Sequence, residues 1–121
     1  MEQEFAEDAV DIEDPDLIEH IIAKTDLVPH FEKTRGVKFS LVAETTRNDF
    51  LEFVQDEIKS EAICVESFDR VVEMYGEEES FPHMVMEFQG IYFYQSMDYD
   101  DVGYWLDRQN AVDHAAAQAD L

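Results

Sequence analysis

Asp98, Asp100 and Gly103 stand at the first, third and sixth positions of a calcium-loop pattern, where carboxylate oxygens and a sharp turn would hold a hard cation. The pattern fails at the fifth position, held by Val102, and at the twelfth, where Gln109 replaces the bidentate Glu. Helix capping accounts for these residues better. His20, His30, His83 and His114 are widely separated and belong to no His-Glu-x-x-His or Cys-x-x-Cys spacing, so no metal and no cofactor is expected and each histidine is read as a surface or core residue. Cys64 is the single cysteine. It excludes an internal disulfide, fits a reducing compartment, and is read as a small core residue rather than a nucleophile. Thirty carboxylates contain pairs enough for acid–base work, but none stands out, and neither a phosphate-cradling glycine loop nor a nucleophile elbow is present. The expectation is a protein with no catalytic residues, not an enzyme.

The acids do have geometry. Asp49, Glu52 and Asp56 are three and four residues apart, so on a helix they share one solvent face at axial steps of about 4.5 and 6 Å. Such steps are of the order of phosphate spacing along a nucleic-acid strand, about 3.4 Å per nucleotide. Glu57, Glu61, Glu66, Asp69 and Glu73 extend the supply, and Asp100 with Asp107, seven residues apart, offer a second line. These ten are the candidate partner-binding residues. For one helix, a wet face needs no further explanation. For the whole chain it is insufficient: 30 Asp and Glu stand against 8 Lys and Arg, a formal charge of -22, where a face serving solubility alone would mix signs and gain pairing. Self-repulsion on this scale destabilises a compact state, which suggests that the field is used. Residues 27–48 form a mildly basic island, with Lys33, Arg35, Lys38 and Arg47, which is expected to pack against an acidic block of the same fold.

Elements able to carry these acids are legible. Nine Phe, five Tyr and one Trp exclude general disorder, and only three Pro and four Gly interrupt the chain. Residues 1–13 read as an acidic arm, and 14–121 as a single small α+β domain of about three to four helices packed on a small sheet. Asp14, Pro15 and Asp16 start a helix whose apolar positions Leu17, Ile18, Ile21, Ile22 and Val28 run to Pro29. Alternation over 37–43 predicts a strand. Thr45, Thr46 or Asn48 caps a second helix with Phe50, Phe53, Val54 and Ile58 inward. Phe68, Val71, Val72 and Tyr75 follow helical spacing up to Gly76, while 62–65 fits helix or strand equally. Two alternating runs near 83–96, joined by Gln89-Gly90, predict a hairpin. A last helix from Asp98 or Asp101 is expected to turn Val102, Trp105, Leu106, Val112 and Ala116 inward. Phe39, Phe50, Phe88, Phe93 and Trp105 are the expected core aromatics. No apolar run is long enough to span a bilayer, and the first residues are acidic where a signal peptide is basic then apolar, so the expected location is cytoplasmic, with no membrane association.

In size, charge and aromatic-rich interior the chain resembles the small acidic DNA-mimic inhibitors with which phages and mobile elements block restriction and CRISPR systems. These proteins share no motif, so the resemblance transfers no residue. It implies a partner that is a basic nucleic-acid-binding protein or complex, with no direct binding of nucleic acid. The same physics suits an immunity or antitoxin protein that neutralises a basic nuclease toxin. An acidic adaptor subunit and a salt-adapted protein are the alternatives from other classes.

Overall fold

A computed structural model describes residues 9–96 and 103–120. The chain is α+β: the described residues form four helices and a four-stranded antiparallel sheet, in the order α1 (Pro15–Lys24), α2 (Leu27–Arg35), α3 (Glu44–Glu61), β1 (Ile63–Met74), β2 (Glu77–Phe88), β3 (Ile91–Gln95), β4 (Tyr104–Trp105) and α4 (Arg108–Ala119). They divide into two compact units, Asp11–Ala62 and the sheet with α4, to which Ala9 and Val10 also belong. No helix among the described residues is long and apolar enough to cross a membrane.

In the helical unit, Asp14 caps α1 as its sequence indicates, its carboxylate accepting from the Asp16 and Leu17 amides at 2.9 and 3.2 Å, with Pro15 in the first turn. The helix ends earlier than expected. The Thr25 hydroxyl donates to the Ile21 carbonyl and accepts from the Leu27 amide, and the chain restarts as α2 with Pro29 in its first turn, where a missing N–H costs nothing. Pro29 thus belongs to a helix start and not, as the sequence suggested, to a helix end. Gly36, at φ 69°, terminates α2, its amide bonding the Glu32 carbonyl. The expected strand over 37–43 does not form. Its amides bond side chains instead: Phe39 to the Glu32 carboxylate at 2.8 Å, and Val42 and Ala43 to the Ser40 hydroxyl at 3.2 and 3.1 Å. The segment is consequently irregular, and α3 begins directly after it, so that Thr45, Thr46 and Asn48 lie within the helix rather than at its cap. Leu17, Ile21, Leu27, Phe31, Phe50, Val54 and Ile58 are buried, with Phe31 edge-on to Phe50 and Phe53 at 5.2 and 5.5 Å.

In the other unit, the segment read as a third helix is β1. Eleven residues of β1 pair antiparallel with eleven of β2, interrupted by one bulge between Cys64 and Glu66. Tyr75 and Gly76 form the two-residue turn at φ 54° and 81°, so the glycine read as a helix end supplies the positive φ of a primed hairpin turn. Ala62 caps α3, and Ile63 onward is strand. The second hairpin follows the sequence reading, with Gln89 and Gly90 at φ 44° and 84° between β2 and β3. β3 pairs β2 only from Met84 to Phe88, so Phe68–Met74 and Glu77–His83 continue beyond it as a two-stranded ribbon. Helix α4 starts at Arg108. Trp105, expected inside it, lies on β4 and is buried with Val85 and Tyr94 under Ala111 and Ala115 of α4. Val112 and Ala116 are half-buried and Leu106 is exposed, while Asp98, Asp101 and Val102 lie outside the described residues. Of the expected core aromatics, Phe50, Phe88 and Trp105 are buried, whereas Phe39 and Phe93 are half-buried. In the segment read as an arm, Val10 bridges Tyr104 and Ile12 is buried.

Two histidines sit in this second core. The His83 Nδ1 shares a 2.5 Å hydrogen bond with the Tyr94 hydroxyl, and His114 lies edge-on to Tyr94 at 4.8 Å and tilted against Trp105 at 5.3 Å. Burial holds the His114 imidazole below its ordinary pKa, because desolvation disfavours the cation. A folded-state value below the unfolded one means that acid favours the unfolded chain. Stability from this group is complete above about pH 6.5, the unfolded value, and falls as pH drops through it. Melting curves between pH 8 and 5.5 are expected to show this loss in the native protein and a smaller one in His114→Phe; parallel curves would refute it.

Candidate functional site

Helix α3 presents Asp49, Glu52 and Asp56 on the side away from Val54 and Ile58, with buried Phe53, four residues from Asp49 and three from Asp56, at the border. Glu52 and Asp56 are exposed and Asp49 is half-buried. No Lys or Arg among the described residues forms an ion pair with any of the three. Glu61 is exposed at the end of the same helix. Glu57 is different: its carboxylate lies 3.5 Å from the His30 Nε2, turned toward α2. The row therefore stands as three acids, with Glu61 apart from it at the helix end and Glu57 occupied by an internal contact.

The strand β1 divides its acids by the two-residue period. Asp69 and Glu73 are exposed on one face with Val71 between them, and the register sets Glu73 directly opposite Glu78 of β2. Like charges so placed repel. Glu77 and Glu79 flank Glu78, so the ribbon end carries acids that the helical reading of this segment hid. Their signal in the sequence was Tyr75-Gly76 followed by three glutamates. Glu66 is half-buried and lies 3.6 Å from Arg108, a surface pair worth at most about 1 kcal/mol. Asp100 lies outside the described residues.

Asp107 is a helix cap. Its carboxylate accepts from the Gln109 and Asn110 amides at 2.8 and 3.3 Å at the start of α4. A cap and a partner contact predict different outcomes. Asp107→Ala is expected to cost about 0.5–2 kcal/mol of stability, whereas Glu52→Ala should change it by no more than about 0.5 kcal/mol. Urea unfolding of both variants decides, and equal losses would mean that α4 does not depend on this cap.

No protein-family model, curated protein or solved structure matches this chain. Its chemistry must be read from its own residues. Cys64, expected in the core, is exposed on β1 with its thiol donating to the Glu66 carbonyl at 3.3 Å. The basic island is partly engaged within its own unit: Arg47 meets Glu13 at 3.9 Å, and the Arg35 guanidinium lies 5.6 Å from the centre of the Phe53 ring. Lys33 and Lys38 are exposed. Among the described residues no group of three or more His, Cys, Asp or Glu is arranged to hold a metal ion. A cleft of about 480 Å3 between α1 and Leu41 is walled mainly by Pro15, Ile18, Ile22 and Ala23, with the Arg47–Glu13 pair at its edge. Its walls bring together no nucleophile and base.

Proposed function

We propose that this chain is a DNA-mimic inhibitor, which occupies the cationic groove of a nucleic-acid-binding protein or complex of the restriction or CRISPR kind. The observation that carries the reading is the α3 row: Asp49, Glu52 and Asp56 along one side of the helix, half-buried to exposed, without an ion pair to any Lys or Arg among the described residues, in a chain of formal charge -22. Carboxylates spaced like phosphates gain most from a surface already built to neutralise phosphates. Such a field also steers encounter, which suits an inhibitor that must outrun DNA. The ion pairs of Glu13 and Glu66 and the contact of Glu57 with His30 leave this row unneutralised.

Capture of partners from the source cell at low and high salt would identify the target. The purified target, loaded with a fluorescent DNA duplex, then supplies the test. The chain is expected to displace the duplex stoichiometrically, to lose this ability as salt rises through the physiological range where the screening length is about 8–10 Å, and to give no gel shift with DNA alone. A complex insensitive to salt that still admits DNA would replace the inhibitor with an ordinary adaptor.

A further inference from the structure

We propose that the outer edge of β1, from Ser67 to Met74, is a docking site for an extended cationic segment of a partner protein, added as a fifth strand. The sheet order β1-β2-β3-β4 leaves β1 with one neighbour only. No backbone or side-chain group among the described residues bonds the outer edge over 67–74, whereas nearer the base Arg108 reaches the Val65 carbonyl at 3.3 Å and the Cys64 thiol the Glu66 carbonyl. A free edge of eight residues, about 27 Å at 3.4 Å per residue, is a template for another strand unless it is defended. The usual defences are charged side chains, lysine above all, with proline and bulges; the exposed charges here, Asp69 and Glu73, repel an acidic strand but not a cationic one. The stretch has no proline and no lysine, and the bulge lies before it, between Cys64 and Glu66. By contrast β2, where it runs past β3, carries Pro82 and the Glu77–Glu79 run on its free side. The docking edge is therefore β1.

Charge chooses the occupant. A second copy laid antiparallel with Val71 against Val71 would set Asp69 against Glu73 twice, beside a Glu73 that already faces Glu78. Like-charge pairs directly opposite disfavour that dimer. A foreign strand with cations four residues apart and an apolar residue midway meets Asp69, Val71 and Glu73 at once, and Val71 is 63% exposed. On the other face, Phe68 and Val72 are half-buried and ask for apolar neighbours, with a polar one beside Arg70. The complementary pattern is Lys-Val-Ile-Thr-Lys-Val. Main-chain bonds then supply affinity and the alternate side chains supply specificity. This site is separate from the α3 row and does not rest on nucleic-acid mimicry.

The probe is a capped peptide of that pattern, added to the full chain at low salt and followed by hydrogen exchange. The amides that point outward between Ser67 and Met74 are expected to exchange at least about tenfold more slowly, while α3 amides are unchanged. Replacing the central Thr of the peptide by Pro should abolish protection, since charge is kept and the strand is broken. The double variant Asp69→Lys, Glu73→Lys should lose the cationic peptide and gain protection from its glutamate counterpart. Neutralising Asp49, Glu52 and Asp56 should leave all of this unchanged. Equal protection by the proline peptide, protection confined to α3, or β1 amides already protected in a dimer of the chain alone would each overturn the proposal.

Discussion

Phe50→Ala is expected to remove about 3–5 kcal/mol of stability, a large share of the roughly 5–15 kcal/mol that holds a typical domain together. Phe50 is fully buried on α3. Its ring meets Phe31 edge-on at 5.2 Å and Phe39 at 4.6 Å, so truncation opens a cavity between α2, α3 and the irregular segment that follows Gly36. That segment is held by side chains, with the Glu32 carboxylate and Ser40 hydroxyl taking its amides, and it has no strand neighbour to resist the loss. Phe50→Leu should lose less, because most of the volume stays. Val42→Ala, at a residue 96% exposed, should fall within about 0.5 kcal/mol of the parent. Denaturant unfolding followed by the helical signal makes the comparison. A Phe50→Ala loss near that of Val42→Ala would mean that the aromatic cluster does not hold the helices together.

What the sequence made legible was whatever depended on local chemistry. The Asp14-Pro15-Asp16 start of α1 and the Gln89-Gly90 turn were readable because a cap or a positive φ is specified by one or two residues. Elements decided by distant partners were misread. Phe68, Val71, Val72 and Tyr75 satisfy helical spacing, yet eleven register positions shared with β2 outweigh that local pattern, and the alternation of exposed Asp69, Val71 and Glu73 with half-buried Phe68, Arg70 and Val72 appears only once the pairing is known. The 37–43 alternation failed in the opposite way, because a strand needs a neighbour and side chains satisfied this one first. Pro29 was read as a stop although proline suits a first turn equally. The candidate site divides along the same line. On α3 the spacing of Asp49, Glu52 and Asp56 survives because a long helix preserves its own geometry. Glu57 and Glu66 met partners brought by other elements, His30 and Arg108, and Asp107 became a cap once α4 began later than expected.

Reversing Glu52 and Asp56 to lysine, with Asp49→Asn, separates steering from structure and should produce the largest functional change. Both reversed residues are exposed and form no ion pair among the described residues, so the folded chain loses repulsion rather than contacts. Its melting temperature is expected to hold or rise slightly. Association with the displaced-DNA target should slow by on the order of tenfold to a thousandfold, since a focused field raises encounter rates by that range. Dissociation should change less if these acids stand at the rim of the contact, and more if they are buried in it, because an unpaired buried charge acts on the bound state. Association and dissociation rates at two salt concentrations distinguish the cases. The matched control is Glu77→Lys, Glu79→Lys with Glu78→Gln, which makes the same change of five charges at exposed acids outside both α3 and the β1 edge. Equal slowing by both variants would mean that net charge alone governs encounter and that the α3 row has no special place in it. A marked fall in melting temperature for the α3 variant would make those acids structural and remove the observation on which the inhibitor reading stands.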